Sequence, residues 1–141
     1  MMPRLQRPIE NRCQNVLALK KEKSEMASNV ILFGWNRSIA GREKLSAQHF
    51  GEFVQYLGGL QQKGAIQGFE IVFLDTHGGD LNGFFLIKGD SAKLDALIST
   101  NEWVIHITRA SLHLDGSGVV RGVTGNEVME RMALWTGVIP S

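Results

Sequence analysis

The chain has 141 residues, of which 43% are hydrophobic and 21% are charged, and its formal net charge is +1. These values are typical of an ordinary folded domain and exclude collagen-like, low-complexity and intrinsically disordered chains. The single cysteine, Cys13, excludes a disulfide framework and a cysteine-based zinc site within one chain, which favours a reducing, cytoplasmic location. No apolar run approaches the roughly 18 residues that a membrane-spanning helix needs, so no membrane association is predicted.

Charge is distributed unevenly between the first 28 residues and the rest. Residues 1–28 hold six basic and three acidic side chains, two prolines and one short apolar cluster. We therefore predict a disordered N-terminal extension over residues 1–28 and a single domain over residues 29–141. An organelle transit peptide is an alternative, although the three glutamates argue against it, and Met26 is a candidate translation start. The remainder is slightly acidic and has no basic stripe, so no nucleic-acid binding is predicted.

The first two predicted elements are a buried strand and an amphipathic helix. Val30–Trp35 is an unbroken apolar run that begins with a β-branched residue, which is typical of a strand buried on both faces. Over residues 42–63, apolar side chains recur at steps of three and four with glutamines mainly between them, and this spacing predicts a helix. Gly64 follows where a left-handed helix cap is expected.

The middle of the chain predicts a β-hairpin followed by two short helices. Residues 66–75 and 82–88 are rich in β-branched and aromatic side chains and flank a glycine-containing turn, which indicates two antiparallel strands. Asp90 is expected at the N-cap of the next helix. Ser99 and Glu102 have the spacing of a capping box, which predicts that a further helix begins there.

The last predicted elements are a bent strand and an extra helix. Residues 112–120 contain leucines and valines interrupted by glycines, which predicts a bent or bulged strand in which His113 is exposed or at an interface. Thr124 and Glu127 have capping-box spacing and predict a terminal helix. That helix has an apolar stripe of Val128, Met129, Met132 and Trp135.

The element order predicts an α+β fold, a ferredoxin-like βαββαβ sandwich with an extra C-terminal helix. A sheet covered on one face should alternate apolar with polar residues, but Ile31 and Phe33 alternate here with Val30 and Leu32. The second face therefore needs a cover. We predict that a second copy of the same sheet supplies it, giving a two-fold homodimer in which two sheets pack face to face.

Four segments carry a resemblance to a known superfamily: Gly34-Trp35, the helix from Gln48 to Gly64, the hairpin from Gly78 to Ile87, and Asn101-Glu102-Trp103. Over residues 29–123 the chain resembles the dimeric α+β barrel superfamily, which includes the YCII-related proteins, the antibiotic-biosynthesis monooxygenases and the stress-responsive barrel proteins. The resemblance implies a dimeric barrel. In the YCII pattern a helix histidine pairs with an aspartate of an Asp-Pro-Phe segment. His49 is at the matching helical position, but Asn101 offers an amide where that pairing needs a carboxylate.

An apolar pocket between the sheet and the helices is the predicted ligand site. Its predicted wall consists of Trp35, His49, Phe53, Tyr56, Phe84 and Trp103. His49 is a candidate general base near neutral pH, or else a core histidine bonded to a backbone carbonyl. Tyr56 is two helical turns further along the same face, so both side chains are candidates to touch one ligand. Trp35 is a candidate pocket wall or dimer anchor, and Arg37 is a candidate anion contact or a solvated charge.

Other chemical motifs are incomplete. His77 and Asp80 supply too few ligands for a first-row metal, and turn chemistry accounts for their segment. His106 and His113 are assigned to different elements, so no metal pair is predicted, and Arg109 is expected to complement a helix dipole. The glycines after residue 115 lack the spacing of a nucleotide fingerprint. No cofactor and no metal are therefore predicted.

Three functions follow from these observations. The first is a homodimeric barrel protein that binds a small apolar molecule. The alternative, which the superfamily resemblance implies, is a cofactor-free enzyme of the isomerase, dehalogenase or monooxygenase type that uses His49 on an aromatic or polyketide-like substrate. The third is a dimeric scaffold without a pocket, whose core would pack to ordinary interior density.

Overall fold

The computed structural model describes residues 27–141. The predicted extension, residues 1–28, lies outside the described residues apart from its last two. The described elements follow in chain order: β1 (Val30–Trp35), β2 (Arg37–Ser38), α1 (Glu43–Gln62), β3 (Gly68–Phe73), β4 (Gly83–Lys88), α2 (Ser91–Ile98), α3 (Asn101–His113), β5 (Leu114–Asp115), β6 (Gly118–Gly122) and α4 (Asn126–Val138).

Four strands form one antiparallel sheet in the order β3-β4-β1-β6, and β2 pairs with β5 in a separate two-residue ladder. β1 lies between β4 and β6, with Phe33 opposite Phe85 on one side and Val119 on the other. The connection from β1 through α1 to β3 spans β4, and the connection from β4 through α2 and α3 to β6 spans β1. This is the ferredoxin-like βαββαβ topology, so the predicted fold class is confirmed.

The helices α1, α2 and α3 cover one face of this sheet. Phe53 and Leu57 of α1 and Trp103 of α3 pack with Ile31 and Phe85 of the strands in one buried apolar cluster. A helix contributes to such a core when its apolar residues recur every three to four positions, which is the spacing in α1. Gly64 has a φ of +75° and lies just beyond the C-cap of α1, so the predicted left-handed cap is confirmed.

The opposite face of the sheet is also apolar. Because strand side chains alternate, the partners in register on this face are Leu32 with Leu86 and with Val120, and Phe84 with Val72. These side chains are half-buried or exposed, and Val120 is 62% exposed. The core therefore occupies only one face, and the other face has an apolar surface.

Two boundary predictions around α3 are wrong. The N-cap is Thr100, whose hydroxyl accepts from the Trp103 backbone N–H at 3.3 Å, and not Ser99. The helix continues to His113, where a bent strand was predicted. Its last turn is stabilised across the helix pair, because the Arg42 guanidinium donates to the Leu112 carbonyl. A carbonyl at a helix C-terminus has no partner within the helix, so such a donor favours the longer helix.

The terminal helix exists, but its start and its packing differ from the prediction. Gly125, with a φ of +72°, is the N-cap of α4, one residue after the Thr124 at which the helix was predicted to begin. An apolar stripe is typical of a helix face packed in a core, yet Met129 of this stripe is 69% exposed. Two compact units divide the chain: Ser28–Val123 is one, and Thr124–Ser141 belongs to the other. The single domain over residues 29–141 stays a prediction.

None of the helices in residues 27–141 has both the length and the apolar character needed to cross a membrane.

Candidate functional site

Three histidines meet between α1 and α3. His106 and His113 are seven residues apart, which is two turns of one helix, so both lie on the same face of α3. His49 lies on α1, which packs against α3. His49 and His113 are buried at 5% and 6% exposure, and His106 is partly buried.

The three imidazoles form a continuous chain of hydrogen bonds. His49 Nδ1 is 2.8 Å from His113 Nε2, and His49 Nε2 is 3.0 Å from His106 Nδ1. The chain continues through His113 Nδ1, which is 2.8 Å from Ser46 Oγ, and Ser38 Oγ donates to Ser46 Oγ at 2.7 Å. We call these five residues the histidine chain. It links five polar side chains that would otherwise lose hydrogen bonds on burial.

The environment keeps the imidazoles neutral. The pKa of His49 is lowered to about 4, first by burial and then by the positive charge of Arg109 and by the neighbouring imidazoles, while Glu52 opposes the change. Burial, and then Arg109, also lower the pKa of His106 and of His113. A buried imidazolium would lose hydration without a sufficient counter-charge, which is why the neutral ring is favoured.

Arg109 is held in place by an ion pair. One of its guanidinium nitrogens is 2.5 Å from Glu52 Oε2, which ties α3 to α1 beside the histidines. This hydrogen bond lowers the pKa of Glu52. Arg109 was predicted to interact with the helix dipole, but it forms an ion pair between α1 and α3. Its positive charge also lowers the pKa of the three histidines.

A cavity of about 270 Å³ opens beside one end of the histidine chain. Six aromatic rings line it, from the sheet and from α1: Phe33, Trp35, Phe50, Phe53, Phe73 and Phe85. Its polar wall contains Ser38, Ser46, His49, His113 and Glu43. An apolar wall with a few polar groups at one end is the usual composition of a small-molecule pocket, and the volume is near the lower end of the roughly 300–1,000 Å³ range.

Gly83 leaves room for the Trp35 ring, which forms one wall of this cavity. Gly83 is opposite Trp35 in the β1–β4 register, and a Cβ built on Gly83 would come within 2.5 Å of the Trp35 ring. The Trp35 indole therefore occupies the space that a side chain at position 83 would fill. This position brings the Trp35 ring within 5.6 Å of the Phe85 ring and 6.3 Å of the Phe73 ring.

Three of the six predicted wall residues line the cavity, namely Trp35, His49 and Phe53. The other three lie elsewhere. Tyr56 is stacked on His106 with ring centroids 4.5 Å apart, beyond the far end of the histidine chain. Phe84 alternates with the cavity-facing Phe85 and so lies on the opposite face of the sheet. Trp103 is 3% exposed and packs in the core against Phe53. The prediction that Tyr56 and His49 contact one ligand in this cavity is therefore not supported by their positions.

The predicted backbone-carbonyl partner of His49 is wrong. His49 bonds to two imidazoles, and neither a backbone carbonyl nor a residue of the Asn101-Glu102-Trp103 segment is its partner. His113 was predicted to be exposed or at an interface and is buried. The helical i, i+7 spacing of His106 and His113 was the signal in the sequence, and it was hidden by ending the helix too early. Ser38 and Ser46 had no recognisable signal.

The remaining candidate residues have local roles. Arg37 is exposed and pairs with Asp115 at 3.6 Å on the β2–β5 ladder. His77 Nδ1 is 2.9 Å from the Asp75 carbonyl, and the Asn82 amide donates to Asn36 Oδ1 at 2.7 Å. In residues 27–141, no three His, Cys, Asp or Glu side chains are placed to hold one metal ion. In the histidine chain, His49 directs its two nitrogens at different neighbours, so the three rings do not converge on a point.

Comparisons with known proteins add one structural similarity. No family model matches the chain, and no curated protein matches it. A solved structure from Bacteroides fragilis NCTC 9343, described as a dimeric protein of unknown function with a ferredoxin-like fold, is similar with 15% sequence identity and a TM-score of 0.48. The match covers 67% of this chain and 95% of that one.

Proposed function

We propose that this chain binds a small, largely apolar molecule with a flat aromatic body and one hydrogen-bonding group. The observation that carries the proposal is the cavity, in which six aromatic rings form one wall and Ser46 and His113 are at the polar end. Aromatic side chains favour stacked or edge-on aromatic partners. Ser46 Oγ keeps a lone pair that can accept a hydrogen bond from a ligand hydroxyl group, whereas both nitrogens of the His113 ring are already bonded.

The best probe of this proposal is 2-naphthol, compared with naphthalene. Both have the same flat body, and only 2-naphthol has a hydroxyl group. One hydrogen bond contributes about 1 kcal/mol, so isothermal titration calorimetry is expected to give roughly fivefold tighter binding for 2-naphthol. Ser46→Ala is expected to reduce this difference, whereas Ser111→Ala, an exposed serine of α3 outside the cavity wall, is expected to preserve it. Absence of saturable binding by either compound would refute the proposal.

A cofactor-free enzyme is the second candidate function, of the isomerase, dehalogenase or monooxygenase type predicted from the sequence. The observation that favours it is the contact of the cavity with the histidine chain through Ser46 and His113. A neutral imidazole both donates and accepts a proton, which is the requirement for general acid–base catalysis. The resemblance to YCII-related proteins stays a proposal, with imidazoles here in place of the aspartate partner.

We also propose that the protein is a homodimer whose subunits meet through the second face of the sheet, as in a dimeric α+β barrel. The centre of that face is apolar, with Leu32, Phe84 and Leu86. Its charges are peripheral and already paired, since Lys88 is 3.7 Å from Glu70. An apolar centre with a polar rim is the anatomy of a protein interface, and a two-fold axis lets one patch cover its own copy. Light scattering is expected to give twice the 15.6 kDa chain mass, and the chain mass alone would contradict the dimer.

A reducing compartment such as the cytoplasm fits the single cysteine of the sequence, and we propose that location.

A further inference from the structure

The histidine chain has the properties of a proton-conducting path. From Ser46 to His106, each link joins a ring nitrogen to another ring nitrogen or to a hydroxyl at 2.8–3.0 Å. A neutral imidazole carries one N–H and one free lone pair, so it can receive a proton at one nitrogen while it gives one from the other. His49 uses both nitrogens in this way, between His113 and His106.

Only two proton arrangements satisfy all the links between the rings. In the first, all three rings carry hydrogen on Nε2, so His113 donates to His49, and His49 donates to His106. In the second, all three carry it on Nδ1, and every bond is reversed. Any mixed arrangement places two hydrogens or two lone pairs in one link, which costs the energy of a buried unsatisfied polar group. The three tautomers are therefore coupled.

The two ends of the path have different surroundings. At the inner end, His113 and Ser46 line the cavity. At the outer end, His106 is only partly buried, does not line the cavity and is stacked against Tyr56. The path thus runs from the ligand site through the buried His49 to a ring that is closer to solvent.

We propose that the histidine chain is a proton relay for a cofactor-free isomerisation, in which one proton is removed from a ketone-like ligand in the cavity and then returned to it. The inference rests on the proposed function, because the ligand must occupy the cavity. The reaction class is a keto–enol type of proton shift, and it needs no oxidant, reductant or second substrate.

The outward transfer is balanced in protons and electrons. A C–H bond next to the ligand carbonyl breaks and leaves its electron pair on the ligand as an enolate. The proton bonds to Ser46 Oγ while the hydroxyl proton of Ser46 passes to His113 Nδ1. The Nε2 proton of His113 passes to His49 Nδ1, the Nε2 proton of His49 passes to His106 Nδ1, and His106 releases its Nε2 proton to water. Inward transfer along the same links returns a proton through Ser46 to the enolate, either on its oxygen, which gives the enol isomer, or on the original carbon, which exchanges that hydrogen with solvent.

The packing of the rings favours a reaction that returns the proton. One outward transfer converts all three rings from the Nε2–H to the Nδ1–H form. His49 is buried between His106, whose ring lies edge to edge with it in nearly the same plane with centroids 5.3 Å apart, and His113, edge-on at 5.0 Å, so a ring flip would break both hydrogen bonds. An inward transfer restores the first form without a flip. An isomerisation contains both transfers, whereas a net deprotonation contains only one.

The lowered pKa values support the relay. Burial and Arg109 keep the rings neutral at pH 7, and an imidazolium, which has no acceptor nitrogen, would interrupt the chain.

The test uses 2-tetralone, an uncharged bicyclic ketone with an acidic benzylic C–H, and follows its deuterium uptake in D₂O by NMR. The relay predicts saturable exchange above the buffer rate. His106→Gln is expected to lower kcat for exchange by about tenfold or more with KM unchanged, because His106 does not line the cavity. His49→Gln interrupts the relay and is expected to lower kcat at least as much. His77→Gln, on an exposed loop, is the matched control and is expected to have no effect.

Each result separates the relay from the binding proposal. Saturable binding of 2-tetralone without exchange would overturn the relay and leave the binding proposal intact. Exchange that His106→Gln does not slow would also overturn the relay, since His113 would then act alone. Absence of binding would refute the binding proposal, and the relay with it. A measurement on the unmodified protein is independent of folding defects in variants: ring ¹⁵N NMR should show three neutral histidines with hydrogen on the same ring nitrogen, and mixed tautomers would overturn the relay.

Discussion

The two faces of the four-stranded sheet are both apolar, but they differ in what covers them. On the helix side, aromatic side chains pack under α1 and α3 and leave a cavity bordered by the histidine chain. On the opposite side, Leu32, Leu86 and Val120 form a smooth apolar surface with charges only at its rim. The difference shows that strand hydrophobicity alone does not distinguish a ligand site from an interface. The polar groups distinguish the two, because they supply hydrogen-bonding groups to the cavity on one face and are absent from the centre of the other face.

The largest expected effect comes from a charge on the second face of the sheet, opposite the helix side. Val120 of β6 and Ile105 of α3 have similar exposures of 62% and 58%, so neither substitution by glutamate is expected to unfold the monomer. Val120→Glu would bury two carboxylates in a two-fold interface at a cost of about several kcal/mol, which weakens association by roughly a hundredfold or more. Sedimentation equilibrium measures this change. Equal association constants for Val120→Glu and Ile105→Glu would contradict the proposed interface.

The next effect is the pH dependence of stability on the helix side. The folded pKa of His49 is about 4 against 6.5 for a free histidine, so the unfolded state binds more protons between these values. Stability is therefore full above pH 6.5 and is lost as the pH falls toward 4, by about 3 kcal/mol from His49. The charged and titratable groups that act on His49 from α1 and α3 are Glu52, His106, Arg109 and His113, while Glu102 and Tyr56 act on or contact His106.

Urea denaturation at pH 7 and pH 4.5 measures this dependence. His49→Gln is expected to reduce the difference in unfolding free energy between the two pH values, and His77→Gln is expected to leave it unchanged. An equal pH dependence in the wild type and in His49→Gln would show that His49 is not neutralised by the fold.

A smaller effect is expected where Trp35 lies over a glycine. Gly83→Ala places a methyl group 2.5 Å from the Trp35 ring, so the indole must move. Overpacking of this kind costs about 1–3 kcal/mol, and the cavity wall changes with it. Gly118→Ala is the control, because a Cβ there meets nothing within 4 Å. Thermal denaturation and 2-naphthol titration should distinguish the two variants, and an undisturbed Gly83→Ala protein would contradict the described position of Trp35.

The smallest expected effect is electrostatic. Arg109→Met removes a positive charge that lowers the pKa of all three histidines, so their pKa values should rise, although burial continues to hold them down. Arg37→Met removes a charge that pairs with Asp115 instead and should leave these values unchanged. NMR titration of the histidine rings provides the measurement. Identical titration curves for the two variants would mean that Arg109 does not act on the rings.

The sequence predicted the fold better than the site, and the reason is physical. Periodicity reports which residues of an element face inward, and it placed β1 and α1 within a residue of their described bounds. It does not report which inward residues meet across elements. The histidine chain depends on the register of α1 against α3, so His49 was identified while its partners were not.

The end of α3 shows a second limit of the sequence. Leu112 and Leu114 flank His113, which is typical of a strand, but the hydrogen bonds that hold His113 in the helix come from Ser46 and His49, more than sixty residues earlier. Local propensity is overridden by such tertiary contacts. Because the helix was predicted to end before His113, this residue was predicted to be exposed or at an interface. Its hydrogen bonds to His49 and Ser46 were therefore not predicted.

The central claim is that the cavity on the helix side, and not the second face of the sheet, is the ligand site. A crystal structure of the protein with 2-naphthol tests it most directly. We expect the naphthalene rings against Trp35 and Phe50, with the hydroxyl within hydrogen-bonding distance of Ser46. A ligand on the second face of the sheet, with the cavity unchanged, would contradict the claim.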